Sequence, residues 1–343
     1  METSLFMLGA QEAIGSDNYL LKLDRLIPWS KIRTKLSGIH KNDFNPQGGQ
    51  NGYDHLSMLK AIILGQWHNL SDRELEHSLK VRIDFMLFTG LELGDSFPDA
   101  STLCRFRGAL IQRGLEKEIF NWLNEELERL GFEIHQAHGA VVDATVIESA
   151  ARPRRTFDRM PEDRKEPEEE PGKEGYQFSE SEDPDARWLK KGKKCYFGYK
   201  GFMSVSEGEG FIQHVHVTSA NRAESRELEK MISELDVDRV YGDKAYCSQS
   251  NRECIQGLTM KNGLMYKAVR GRPLSKWQRL FNRLVSKKRY IVEQCFGTLK
   301  RKFQLSRACY FGLPKVEGQC YFKATCFNLL KALNLTQKYG LID

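Results

Sequence analysis

Between Lys267 and Phe303 twelve lysines and arginines stand against a single acid, Glu293. Within this segment Ser286–Phe303 contains no proline, and apolar residues recur at Ile291, Val292, Cys295, Phe296, Leu299 and Phe303. That spacing predicts a helix with one apolar face. A helix advances about 100° per residue, which puts Arg289 roughly 40° from Glu293 and Lys300 roughly 20° from it. One carboxylate thus shares a face with two cations inside a strongly basic segment. The arrangement allows a salt bridge to Arg289 and nothing more. It also allows a metal ligand flanked by cations that grip phosphates.

The formal net charge of +6 is concentrated in this segment, and the rest of the chain taken together is acidic. A concentrated basic stretch implies a polyanionic partner more strongly than an evenly basic chain would. At 343 residues the chain can bury a full core and is expected to hold two domains. Its eight cysteines show no CxxC pair and no His/Cys zinc spacing, so they read as reduced, mostly buried thiols. The first residues lack a basic region ahead of an apolar run, unlike a secretory signal. No apolar run approaches the ~20 residues that span a bilayer. The expectation is a soluble, cytoplasmic protein with no membrane partner.

Residues 1–135 read as an all-helical N-terminal domain. Tyr53–Leu64 has helical spacing and is expected to end near Gly65. Ser71 with Glu74 three residues on predicts a capping box for a helix that runs to Gly90. Asp99 opens another helix, with Arg105, Arg107 and Arg113 on its exposed positions, and Glu116–Leu130 follows. Two capped helices around Gly90–Pro98, the second bearing arginines, suggest a helix-turn-helix-like reader of double-stranded DNA. A plain helical bundle with solvated arginines is the alternative.

From Gly139 the periodicity changes. Ala140–Thr145 is a short β-branched run after a glycine, hence a buried strand. Arg152–Lys191 mixes dense charge of both signs with Pro153, Pro161, Pro167 and Pro171, which predicts a flexible insertion over 151–192. Tyr196–Val205 and Gly210–Thr218 form a predicted hairpin. Further expected elements are a helix at Glu224–Leu235, a strand at Asp238–Tyr241, a helix at Ser248–Gly257, a strand at Gly263–Val269 and a C-terminal helix at Tyr321–Leu335. This order suits an α/β layer with a mixed sheet flanked by helices over 136–343. In it Asp143 leaves the first strand, Asp243 leaves a later one, and Glu293 rides a helix that can pack on the sheet.

Each of Asp143 and Asp243 alone has a bland reading as a turn or cap residue. Together with Glu293 they can do more. Hard divalent cations take carboxylate oxygens, and paired ions held by three carboxylates suit in-line displacement at phosphorus. The ordered set Asp143-Ala144-Thr145, Asp243-Lys244-Ala245-Tyr246 and Arg289-x3-Glu293-x6-Lys300 resembles the DDE transposases of bacterial insertion sequences, specifically the insertion-sequence-five family. Val217–Glu224 also resembles that family's strand-exit segment, with Glu224 where an Asp is usual. The resemblance covers essentially the whole chain. It departs from the related insertion-sequence-four signature, which carries a Tyr where this chain has Ser286.

The resemblance implies an RNase-H-like catalytic domain and metal-dependent cleavage and strand transfer of DNA. It implies that Asp143, Asp243 and Glu293 hold two Mg²⁺ ions, with Mn²⁺ able to substitute. The expected DNA contacts are Arg289 and Lys300, then Lys287, Lys288, Arg301, Arg105 and Arg107. The partners implied are the inverted repeats at the element's ends, target DNA and a second copy of the chain. His214 and His216 share a strand face, yet no third ligand lies nearby in sequence, so an ordinary pair is expected. Trp188 and Trp277 are candidates to stack on an extruded base, although a buried aromatic is the favoured reading for Trp277.

Overall fold

The computed structural model describes residues 5–39, 52–151 and 181–339. The helical part comprises α1 (Leu5–Ile14), α2 (Tyr19–Leu26), α3 (His55–His68), α4 (Asp72–Val81), α5 (Ile83–Thr89), α6 (Ala100–Gln112) and α7 (Leu115–Arg129). Their starts follow local chemistry: Asp54, Ser71 and Asp99 accept backbone N–H bonds at α3, α4 and α6, and Ser71 with Glu74 forms the expected capping box. Two boundaries differ from expectation. Helix α3 runs through Gly65 to His68 and stops at a left-handed Asn69; Gly65 serves close packing instead, since a Cβ there would meet Leu75 Cδ2 at 3.0 Å. The helix expected up to Gly90 breaks at Arg82, whose guanidinium pairs with Asp84 at 2.5 Å and stacks on Phe85.

The α/β part contains β1 (Gly139–Glu148), β2 (Arg187–Lys191), β3 (Lys194–Ser206), β4 (Ile212–Ser219), α8 (Leu228–Ile232), β5 (Arg239–Gly242), α9 (Gln249–Gly257), β6 (Lys261–Leu264), α10 (Lys276–Arg301) and α11 (Leu313–Tyr339). The sheet is mixed. Its strands run β4-β3-β1-β5-β6, and β2 pairs with the first part of β3. β3 is antiparallel to β1, β2 and β4, whereas β1–β5 and β5–β6 are parallel. Helices cover both faces, as expected for an RNase-H-like domain. Ala140 and Val142 of β1 face a core with α8 and α9, while Val141 and Ile147 face the core that includes α10 and α11.

Most of the tract expected to be a flexible insertion lies outside the described residues. Its end is ordered: Arg187–Lys191 forms β2, because β3 extends far enough to pair with it across the Gly192 turn. The stretch expected as a helix at Glu224–Leu235 is a 3₁₀ turn followed by the short α8. Between them Glu227 is fully buried and binds Arg222, Lys230 and His216. β6 lies earlier than expected and ends at Leu264, since its pairing partner β5 ends at Gly242. Helix α10 starts ten residues before the expected helix, at a second capping box made by Ser275 and Gln278.

Helix α11 is buried on all sides along Gln319–Leu329, between β4 and helices α3 and α7. Gly318 lets α6 approach as well: a Cβ there would meet Ile111 Cγ1 at 2.8 Å. Buried Lys323 and Asn328 of α11 find partners, whereas the buried Thr325 hydroxyl does not. Lys323 donates to Asn69 Oδ1 at 3.0 Å and to the carbonyl of Phe303. Asn328 accepts from the backbone N–H of Ile212 at 2.9 Å and donates to the Ile212 carbonyl and to Asn124 Oδ1 at 2.8 Å each. Asn328→Leu would orphan these groups and is expected to lower unfolding stability by about 3 kcal/mol in a urea titration. A loss below about 1 kcal/mol would contradict the network's role.

Glu116 at the start of α7 is buried with its Oε2 unpartnered. Burial, with the charge of Glu317 on α11 adding to it, pushes its pKa up to about 7. An unfolded Glu titrates near 4.3, so the native chain holds the extra proton and loses stability as pH rises from about 4.5 through about 7. Glu116→Gln is expected to flatten that slope, by about 2–3 kcal/mol across the window, in urea titrations from pH 5 to 8. Parallel profiles for the two proteins would contradict it.

Candidate active site

The register of the parallel pair brings the first two acids together. Val142 of β1 stands opposite Gly242 of β5. Asp143 and Asp243 are therefore the next residue on each of two adjacent strands, which run about 4.8 Å apart. Asp243 follows the end of β5, but Asp143 does not leave its strand as expected: the parallel pairing stops at Val142, while β1 runs on to Glu148 because β3 continues to pair with it. Past β5, Asp243 turns the chain by accepting from Ala245 N–H through Oδ1 at 2.6 Å. The cap and the site are made by one residue, so the bland reading of Asp243 and the chemical one coexist.

Asp143 lies on the sheet face that meets α10. Its Oδ1 accepts from the Ala144 N–H at 2.9 Å and its Oδ2 from Arg289 Nη2 at 2.9 Å. Burial raises its pKa and the charge of Asp243 adds to that, while Arg289 and the Ala144 N–H oppose it. Arg289 does not principally serve Glu293, as helix spacing alone allowed. Its Nη2 is 4.0 Å from Glu293 Oε1, and the two carboxylates share this one guanidinium nitrogen. The Glu293 side chain is 64% exposed. Phe296, Cys295 and Leu299 on the same helix are buried and fix α10 against the sheet.

Beside Glu293 a cleft of ≈ 480 Å³ is lined by Thr145, Lys191, Tyr196, Phe296 and Lys300. The pKa of Lys300 is lowered by partial burial of its ammonium and by Lys191, with Asp143 opposing. Lys191 belongs to the tract read from sequence as a linker. The signal that could have found it is the Gly192 turn between two short arms, Arg187–Lys191 and Lys194–Gly198.

The other expected DNA contacts fare differently. Lys287 and Arg301 are exposed on α10, and Arg105 is exposed on α6. Lys288 is engaged by Glu207 at 2.6 Å yet half exposed. Arg107 is a correction: it is buried, donates to both carboxylate oxygens of Asp72 at 2.6 and 2.8 Å, and stacks on Tyr310. It joins α6 to α4, because on the helix it shares a face with buried Leu103, four residues before it, and Leu110, three after. Trp277 departs from the buried reading: it is 60% exposed and stacks on Phe281. His214 and His216 are taken up by Glu234 at 3.5 Å and Glu227 at 3.1 Å, in keeping with an ordinary pair.

Among the described residues no three His, Cys, Asp or Glu side chains stand close enough as placed to hold one ion. The donor set nonetheless fits a hard divalent cation: Asp143, Asp243 and Glu293 offer only carboxylate oxygens, and two of them already share a cationic group. Residues 9–109 match the family described as Transposase domain (DUF772), and residues 136–329 match Transposase DDE domain. The chain belongs to the DDE transposase family, whose catalytic domains use divalent metals, typically Mg²⁺. It is 40% identical over 231 residues to the transposase for insertion sequence element IS1106 of Neisseria meningitidis serogroup B, covering 67% of this chain and 77% of that relative. Among the described residues no helix is long and apolar enough to cross a membrane.

Proposed function

We propose that this chain is the transposase of an insertion sequence of the insertion-sequence-five family. It binds the inverted repeats at the element's ends, cleaves there and joins the freed ends to target DNA. The observation that carries the reading is the strand register that sets Asp143 beside Asp243, with Glu293 sharing Arg289 with Asp143. Residues 1–135 would form the DNA-binding part and 136–343 the catalytic one. A homodimer in the bacterial cytoplasm follows from the need to hold two ends at once.

Asp143, Asp243 and Glu293 would hold two Mg²⁺ ions, or Mn²⁺ in their place. When bound, such ions activate water and stabilise charge at the attacking and leaving oxygens. In the first step a water oxygen bonds to the scissile phosphorus, the 3′-oxygen departs, and the water's proton is lost, leaving a 3′-hydroxyl and a 5′-phosphate. In the second step that 3′-oxygen attacks a target phosphodiester, and a target 3′-oxygen leaves. No covalent enzyme intermediate is needed. Lys300 and Lys191, which line the cleft beside Glu293, would neutralise phosphates flanking the reacting bond, while Lys287, Arg301 and Arg105 would contact DNA farther out. Arg107, buried against Asp72, has no part in this.

The test is a cleavage-and-joining assay with labelled DNA from the flanks of the protein's own gene, in Mg²⁺ or EDTA. Metal-dependent nicking at an inverted repeat with joined products is expected, and Asp143→Asn and Glu293→Gln should abolish cleavage yet retain end binding. Cleavage retained in either variant would overturn the site assignment. Cleavage without joining would make the protein a nuclease, and binding without cleavage a regulator.

A further inference from the structure

We infer that Arg289 is a built-in competitor for the divalent ions, holding Asp143 and Glu293 in an internal ion pair that metal must break. The inference rests on the metal-binding reading proposed above. Arg289 Nη2 stands 2.9 Å from Asp143 Oδ2 and 4.0 Å from Glu293 Oε1, so one positive group lies between two of the three carboxylates. An oxygen lone pair that accepts from a guanidinium cannot at the same time be directed at a divalent ion. The positive charge beside it also repels an incoming cation. An ion that draws on the occupied lone pair of Asp143 Oδ2 has to displace Arg289, and one that bridges Asp143 and Glu293 meets the guanidinium charge lying between them.

Arg289 is built to leave. Its side chain is only 16% exposed, and its Nε is buried without a hydrogen-bond partner. A guanidinium in such a pose uses part of its donor set and leaves a desolvated N–H unpaid. A phosphate, with several acceptor oxygens, can take Arg bidentate and offers it a better-satisfied position. The helix itself is pinned by buried Val292, Cys295 and Phe296, so the side chain and not the backbone would move. Its neighbours Ser286 and Tyr290 are exposed, which leaves a route outward. Lys288 on the same turn differs, since it is already committed to Glu207 away from the three acids.

Metal affinity without DNA separates the possibilities. Free Mn²⁺ would be followed by electron paramagnetic resonance while the full chain is titrated in, as wild type and as Arg289→Gln, Arg289→Met, Asp143→Asn and Asp143→Asn/Arg289→Gln. Removing the competitor is expected to tighten Mn²⁺ binding by about tenfold in both neutral Arg289 variants, within the range typical of coupled sites. Asp143→Asn should abolish the gain. Unchanged or weaker binding in the folded Arg289 variants, with Asp143→Asn still harmful, would overturn the inference and leave the carboxylate site standing. Mn²⁺ binding indifferent to Asp143→Asn in either background would instead overturn the metal-site reading and the inference with it.

Discussion

The parallel pairing of Gly139–Val142 with Arg239–Gly242 is the constraint from which the candidate site follows. Parallel strands need a crossover, and here the chain between them supplies β2, β3, β4 and α8. Once the register is set, the positions after Val142 and Gly242 are side by side where the parallel pairing stops. Two acids there repel, and the interior makes their charge harder to sustain: the pKa of Asp143 rises through burial and through Asp243. Such a pair persists only if a cation relieves it. Arg289 does so within the chain, and a divalent ion would do so in catalysis.

The same logic explains why α10 is anchored so firmly. Its apolar face buries Val292, Cys295, Phe296 and Leu299 against the sheet, which holds Arg289 and Glu293 within reach of β1. On the far side α11 runs through the interior between sheet and helices, and its buried Lys323 and Asn328 tie together segments distant in sequence. The helical part and the sheet thus share one continuous core.

Much of this was legible in the residues. The β-branched run ending in Asp143, the short strand before Asp243 and the apolar face around Glu293 each carry a local signature. The partner of Arg289 was not legible, because helix periodicity ranks Glu293 first and contains no term for a strand packed across the helix. Arg107 was misread for the same reason: its place beside Phe106 says nothing of Asp72 waiting on α4. The early start of α10 was hidden by Trp277, Leu280 and Leu284, apolar residues that the fold leaves exposed and that blur the amphipathic pattern. β2 and Lys191 were lost in a tract whose average composition reads as linker, since strand pairing with β3 depends on a partner rather than on composition.

The most direct test of a shared carboxylate site is metal-directed cleavage of the protein itself. Fe²⁺ bound in place of Mg²⁺, with ascorbate and peroxide, generates hydroxyl radicals that cut nearby backbone, and mass spectrometry maps the cuts. The expected result is cleavage clustered near Asp143, Asp243 and Glu293 together, suppressed by excess Mg²⁺. Cuts confined to one of these segments, or placed elsewhere in the chain, would contradict a site built from all three.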